Sequence, residues 1–355
     1  MTASSGEDRL PSVGLVLTGG TIGAEQQGAV LSVGPEPTSA ESELLRSAWP
    51  AAGEPRVVVA APLRKLSENL APGDWLSIAA AVRRLIEADD VDGVLVLHGT
   101  DTMAYTAAAL SFLLCDVERP IVLTGSRLAA TQAGSDAPAN VRAALLALLA
   151  LRSGTYVAFG GGEDRPARIL LGTRVRKAPG GGETFASVNR ELVATVQGDQ
   201  LTAIEPYVHR VGGRSIQEVD EHVLALRLYP GLDFDATYDA AQRAGTRGVV
   251  VELYPSATGP DTGDRFSLPA FIRRCSERGV IVATAAPGAP PSGAGAYETT
   301  LAIAGAGGVF LHDMPTETAT VKLMWALAQS QRPQVVRQLM LSPIAGELAP
   351  APPAR

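Results

Sequence analysis

Apolar residues in this chain fall into short runs bounded by glycine or polar clusters, and between several of these runs they recur at helical spacing. The runs at 13–17, 56–60, 93–97, 120–123 and 155–159 predict buried strands. Pro72-Gly73-Asp74 opens a segment in which Trp75, Ile78, Ala79, Val82, Leu85 and Ile86 share one helix face, and Pro72 suits a first turn. A second helix is expected to open at Asp101 or Thr102 and run through 107–114. A third is expected over 139–151, after the turn-like Gly134-Ser135-Asp136. Strand and helix in alternation predict βαβ units, hence a mostly parallel sheet flanked by helices.

The texture then changes. Residues 160–190 are rich in Gly and Arg with little periodicity, and 206–221 are polar and Gly-containing. A second alternating block follows, with strands at 223–228, 248–253 and 280–283 and helices at 234–244 and 268–277. A Pro/Gly-rich stretch at 286–296 interrupts it before helices at 316–328 and 333–341. The expected fold class is α/β, with a large N-terminal domain over 1–205, a linker at 206–222 and a smaller C-terminal α/β domain over 223–342. The Ala/Pro-rich tail at 343–355 is expected to be disordered. No internal repeat is visible.

With 355 residues and 46% hydrophobic content the chain can bury cores of that size. A net charge of −7 without a basic stripe argues against nucleic-acid binding. Cys115 and Cys275 lie far apart in apolar-periodic segments, which predicts buried thiols in a reducing compartment, and neither has metal-site spacing. Residues 1–11 are polar and acidic, unlike a signal peptide, and no apolar stretch reaches membrane-spanning length, so a cytoplasmic protein is expected.

Candidate chemistry sits at two strand ends, the edge where open α/β sheets bind ligands. The first segment is Thr18-Gly19-Gly20-Thr21-Ile22-Gly23 and the second is His98-Gly99-Thr100-Asp101-Thr102-Met103. Alone, the first reads as a tight turn; it matches neither a phosphate-cradling loop nor a dinucleotide fingerprint. The second sets a hydroxyl beside a carboxylate, with Asp101 at the expected helix N-cap. That carboxylate can hold a substrate ammonium, and helix N-terminal amides an anion. His98 reads as a buried structural histidine, and the four histidines (His98, His209, His222, His312) do not support a Ser-His-Asp arrangement. A hydroxyl nucleophile needs help to lose its proton. Lys177, in Arg174-Val175-Arg176-Lys177, is the candidate: a desolvated lysine beside Thr100 would sit neutral or relay the proton. By composition that run reads as a solvated basic loop.

Together with Ala104-Tyr105-Thr106-Ala107, Thr124-Gly125-Ser126, Ser135-Asp136, Leu228-Tyr229-Pro230-Gly231 and Asp313-Met314, the two segments resemble the bacterial L-asparaginase/glutaminase family over nearly the whole chain. The cytoplasmic, type I branch is the nearest in pattern. The resemblance implies an asparaginase-like fold and a small-molecule substrate, L-asparagine or a related amide, hydrolysed to L-aspartate and ammonia without metal or organic cofactor. It implies that Thr21 is the nucleophile and forms an acyl-enzyme, and that Thr100, Lys177 and Asp101 handle protons. Substrate-binding positions implied are Gly20, Ser67, Glu68, Gly99, Thr100, Asp101 and Ser126. Ser67 would grip the α-carboxylate, and Asp101 and Glu68 the α-amino end. A homodimer or homotetramer, with sites between subunits and no nucleic-acid or membrane partner, is implied as well.

Two positions depart from the family pattern. Residues 22–40 contain no aromatic side chain, and Leu31 stands about where the family's mobile lid carries a tyrosine that orients the nucleophile. The asparagine that a partner subunit contributes has no counterpart over 254–263. Each such loss typically costs roughly ten- to a thousandfold. Three alternatives therefore stay open: an amidase for glutamine or a larger side-chain amide, a weakly catalytic amino-acid-binding homologue, and a subunit of a tRNA-dependent amidotransferase. Against the last stands the lack of an extra N-terminal domain and of a basic surface.

Overall fold

The computed structural model describes residues 11–27, 30–34, 39–50, 53–162, 165–178, 183–205, 207, 212, 216–286, 297–311 and 313–348. The side chain of Leu31, His209, His312 and residues 287–296 and 349–355 lie outside the described residues. In chain order the first elements are β1 (Ser12–Leu17), β2 (Glu25–Gln27), β3 (Val30–Ser32), α1 (Ser39–Ser47), β4 (Arg56–Ala60), α2 (Pro72–Glu87), β5 (Gly93–Leu97), α3 (Met103–Leu113), β6 (Pro120–Thr124), α4 (Ala137–Ala150) and β7 (Gly154–Phe159). Then come β8 (Ala167–Leu171), β9 (Val175–Lys177), β10 (Phe185–Ser187), β11 (Ala194–Gln197) and β12 (Gln200–Ala203). The last part holds β13 (Val223–Arg227), α5 (Phe234–Arg243), β14 (Gly248–Glu252), α6 (Leu268–Glu277), β15 (Ile281–Ala285), α7 (Glu298–Gly305), β16 (Val309–Phe310), α8 (Thr316–Gln329) and α9 (Pro333–Leu341).

Eight strands form the large sheet in the order β12-β11-β8-β7-β6-β5-β1-β4. From β4 to β7 the pairing is parallel, and β8, β11 and β12 extend it antiparallel. A second sheet, β13-β14-β15-β16, is parallel throughout. This is the expected α/β architecture, a large N-terminal domain followed by a smaller C-terminal one. The stretch 160–190, expected to be irregular, instead holds β8, β9 and β10. Its pairing with β7 and within the β9–β10 hairpin supplies order that an Arg- and Gly-rich sequence hides.

One apolar layer packs α1 and α4 on one face of the large sheet. The other face carries α2 and α3 and continues without a break into α8 and the second sheet. Phe112 of α3 stacks on Trp325 of α8, with ring centroids 5.7 Å apart. The chain does not fray at Pro343. Ala345 and Glu347 are buried, and Lys322 Nζ, also buried, donates to Met340 O (3.0 Å), Ser342 O (2.7 Å) and Glu347. Burial holds the Lys322 ammonium below its ordinary pKa against the pull of Glu347. Thr173 Oγ1 donates to Ala345 O and Arg174 Nε to Gly346 O, both at 2.9 Å, which fastens this segment to the N-terminal domain. Local composition could not predict that, because every partner is distant in sequence.

The site follows from topology. From β1 the chain goes to β4 on one side and later returns to β5 on the other. The chain therefore leaves β1 and β4 in opposite directions, and a crevice opens at the carboxyl edge where the strand order reverses.

Candidate active site

Three loops converge at this edge, those following β1, β4 and β5. Lys65, after β4, donates its amide to Thr18 O and accepts from the Gly20 amide, both at 3.0 Å. Thr18 Oγ1 donates to Leu97 O at 2.9 Å, joining the first loop to the end of β5. Thr102 Oγ1 reaches Ser67 O at 2.8 Å and joins the third loop to the second. Contact is so close that side chains are excluded. Gly20 (φ 77°) has no room for a Cβ against the Gly99 backbone, and a Cβ on Gly99 would overlap Ser67. Left-handed φ and close backbone approach are the two situations that require glycine.

Thr21 begins a single 3-10 turn, Thr21–Gly23, and is partly exposed in the crevice. Ile22 beneath it is buried in the layer with Leu44 and Leu45 of α1. Among the described residues no hydrogen bond holds the Thr21 hydroxyl. On the other side Lys177 Nζ donates to Thr100 Oγ1 at 2.8 Å and pairs with Asp101. Asp101 does not cap the helix. Met103 begins α3 with Thr102 at its N-cap, and Asp101 turns to Lys177, an ionic partner that a capping position would forgo.

Ser67 is buried, Glu68 beside it is exposed, and Gly99 is buried under Thr100. Ser126, also buried, spends its hydroxyl on Leu128 O. His98 is fully buried, with Nδ1 2.7 Å from Gly99 O and Nε2 2.9 Å from Thr106 Oγ1. A carbonyl only accepts, so Nδ1 carries the proton and Nε2 accepts from Thr106. Burial pushes the ring down to about 4, against the raising effect of the Gly99 carbonyl. Both ring nitrogens are occupied, which leaves no free base there.

The run Arg174–Lys177 is not a solvated loop. Arg174 is buried and donates Nη1 to Asp313 O (2.9 Å) and Oδ2 (2.8 Å). Arg176 binds Glu317 through Nε (3.0 and 3.1 Å) and Glu252 through Nη2 (2.9 Å). Burial works against its charge, but the two carboxylates outweigh it and hold the guanidinium above its ordinary pKa. Sequence reading missed this clamp, whose members Arg176, Glu252 and Glu317 carry no local signal. The clamp sets the strand that presents Lys177, and a cleft of about 560 Å³ beside it is bounded by Arg176, Lys177, Glu252, Tyr254 and Glu317. The segment 254–263, which lacks the asparagine expected from a partner subunit, begins at this cleft.

Among the described residues no group of three or more His, Cys, Asp or Glu is placed to hold a metal, and no helix is long and apolar enough to cross a membrane.

Comparison with known proteins places these features in a family. Residues 12–208 match the N-terminal asparaginase domain, and residues 222–340 the glutaminase/asparaginase C-terminal domain. L-asparaginase of Thermococcus kodakarensis is 36% identical over 286 residues, covering 79% of this chain and 83% of that protein. A glutamyl-tRNA(Gln) amidotransferase component of Methanothermobacter thermautotrophicus is 31% identical, covering 96% of this chain and 78% of its own. The solved thermostable L-asparaginase from Thermococcus kodakarensis superposes with a TM-score of 0.80 at 31% identity, over 96% of this chain and 100% of that one. Both sheets and the crevice at the carboxyl edge of the large one thus fall within matched domains, and the chain belongs to the asparaginase family.

Proposed function

We propose that the protein is an asparaginase-type amidohydrolase, converting L-asparagine and water to L-aspartate and ammonia through an acyl-threonine intermediate. The observation that carries this reading is the contact of Lys177 Nζ with both Thr100 Oγ1 and Asp101, at the crevice edge shared with the Gly19-Gly20-Thr21 turn.

In this reading Thr21 Oγ1 attacks the side-chain amide carbon, its proton passes by way of the Thr100 hydroxyl to the amide nitrogen, the C–N bond breaks, and ammonia leaves. Because the Lys177 ammonium donates to Thr100 Oγ1, the Thr100 proton is free to point into the crevice. Asp101, largely exposed, keeps carboxylate surface for the substrate ammonium while pairing with Lys177. Ser67 and Glu68, on the loop between the two threonine segments, take the amino-acid end. Water then attacks the acyl carbon, releases L-aspartate and restores the Thr21 hydroxyl. Holding reacting groups in place and moving protons at stated atoms are the terms such a site supplies.

A second reading, hydrolysis of glutamine or of a larger side-chain amide, is favoured by the cleft beside Lys177 and by the likeness to an amidotransferase component. One experiment separates them: release of ammonia from L-asparagine and L-glutamine and of alkylamine from an N-alkyl β-amide, for wild type and Thr21→Ala. Asparagine should be fastest, and all release should vanish in Thr21→Ala. Faster release from glutamine or an alkylamine-releasing amide would favour the second reading. Undiminished release in Thr21→Ala would remove Thr21 as nucleophile.

A further inference from the structure

Directly behind the Thr21–Gly23 turn lies a buried ion pair that the chemistry above does not use. Glu41 of α1 and Arg64, on the loop after β4, meet through Nη1 at 2.9 and 3.0 Å, with side chains 2% and 4% exposed. A Cβ on Gly23 would overlap Glu41 Oε1, so the carboxylate forms the wall against which the turn rests. Arg64 Nε donates to Gly34 O at 2.9 Å, on the segment following β3. One guanidinium therefore joins α1, the base of the loop that follows the nucleophile turn, and the loop that carries Ser67.

Burying two charges is costly, and such pairs are weak evidence for stability; fixing one arrangement is the better reason to keep one. Here the arrangement matters, because the Thr21 hydroxyl has no hydrogen bond among the described residues and takes its position from the turn's backbone. We propose that Glu41 and Arg64 are positioning residues for the nucleophile, holding the Thr21–Gly23 turn and coupling it to the segment at Gly34. The proposal rests on Thr21 being the nucleophile.

The test uses the full chain. Glu41→Gln should lower kcat for ammonia release about 10- to 100-fold while KM stays within about twofold, as expected when a reacting group is displaced but binding is kept. The Glu41→Leu/Arg64→Met double variant removes both charges, should fold, and should keep the low kcat. Arg64→Lys should not restore activity, since one ammonium cannot reproduce the planar fork that holds both Glu41 and Gly34. Amide exchange supplies a readout without substrate. The Gly23 and Ala24 amides, bonded to Gly20 O and Thr21 O, should exchange about tenfold faster or more in Glu41→Gln, with β5 and α3 unchanged. Full kcat, a matching rise in KM, or unchanged exchange at Gly23 and Ala24 would overturn the proposal. No ammonia or alkylamine from any of these amides in wild type would sink the amidohydrolase reading, and the exchange measurement would still decide whether the pair holds the turn.

Discussion

The two walls of the crevice are built by different means. At the end of β5, side chains do the holding: Lys177 bonds Thr100 and Asp101, and the neighbouring Arg176 is anchored to Glu252 and Glu317. At the end of β1 the backbone does it: Gly19 and Gly20 take left-handed φ, amides pair with Lys65, and Gly23 rests on Glu41. In the proposed mechanism proton handling needs polar atoms at hydrogen-bond distance, whereas a nucleophile needs its hydroxyl free to attack. One wall is therefore preassembled by charge and the other by exclusion of side-chain volume.

The largest expected effect is on the charged wall. Lys177→Met should reduce kcat by roughly 10² to 10⁴, the range for loss of a positioned proton-transfer group, with KM changed only a few-fold. Steady-state kinetics decides it, and a loss confined to KM would make Lys177 a binding group. Next comes His98, which supports the same wall from below. Its folded-state value of about 4 lies below the unfolded value of about 6.5, so its contribution to stability is complete above the unfolded value and is lost as pH falls from there to about 4. That loss should amount to ~3 kcal/mol, read as the difference in urea midpoints between pH 7 and pH 4 for wild type against His98→Gln. Equal pH dependence in the two would mean that His98 takes up its proton while folded. The smallest effect should fall between the walls. Ser67→Ala should raise KM about tenfold with little change in kcat, since a contact made equally in ground and transition states affects binding alone. A kcat loss instead would place Ser67 among the groups that act on the transition state.

Much of the fold was legible. The bounds read for β4, β5, α6 and α9 coincide with those found, because apolar runs cut by Pro, Gly and charged clusters leave little choice of register. The antiparallel additions β8, β11 and β12 were not legible. They carry Arg, Thr and Gln, and pairing with β7 and with one another orders them. At the site, both threonine segments stand out as strand ends, but by local position Asp101 read as a cap, and its link to Lys177 came only through the family resemblance. Glu41 and Arg64 gave no signal, since nothing in either neighbourhood points to the other.

The sequence by itself determined the alternation of strand and helix, the glycines at the first turn, and the edge of the sheet where chemistry could gather. These depend on side-chain periodicity and on φ, which act over a few residues. Only the tertiary structure decided what Arg174, Arg176 and Lys177 do. Three cations in four residues go to Asp313 and Gly346, to Glu252 and Glu317, and to Thr100 and Asp101. Charge is a property of the residue, but its partner is set by which strands and helices are packed within a few ångströms, and those lie 76 to 172 positions away along the chain.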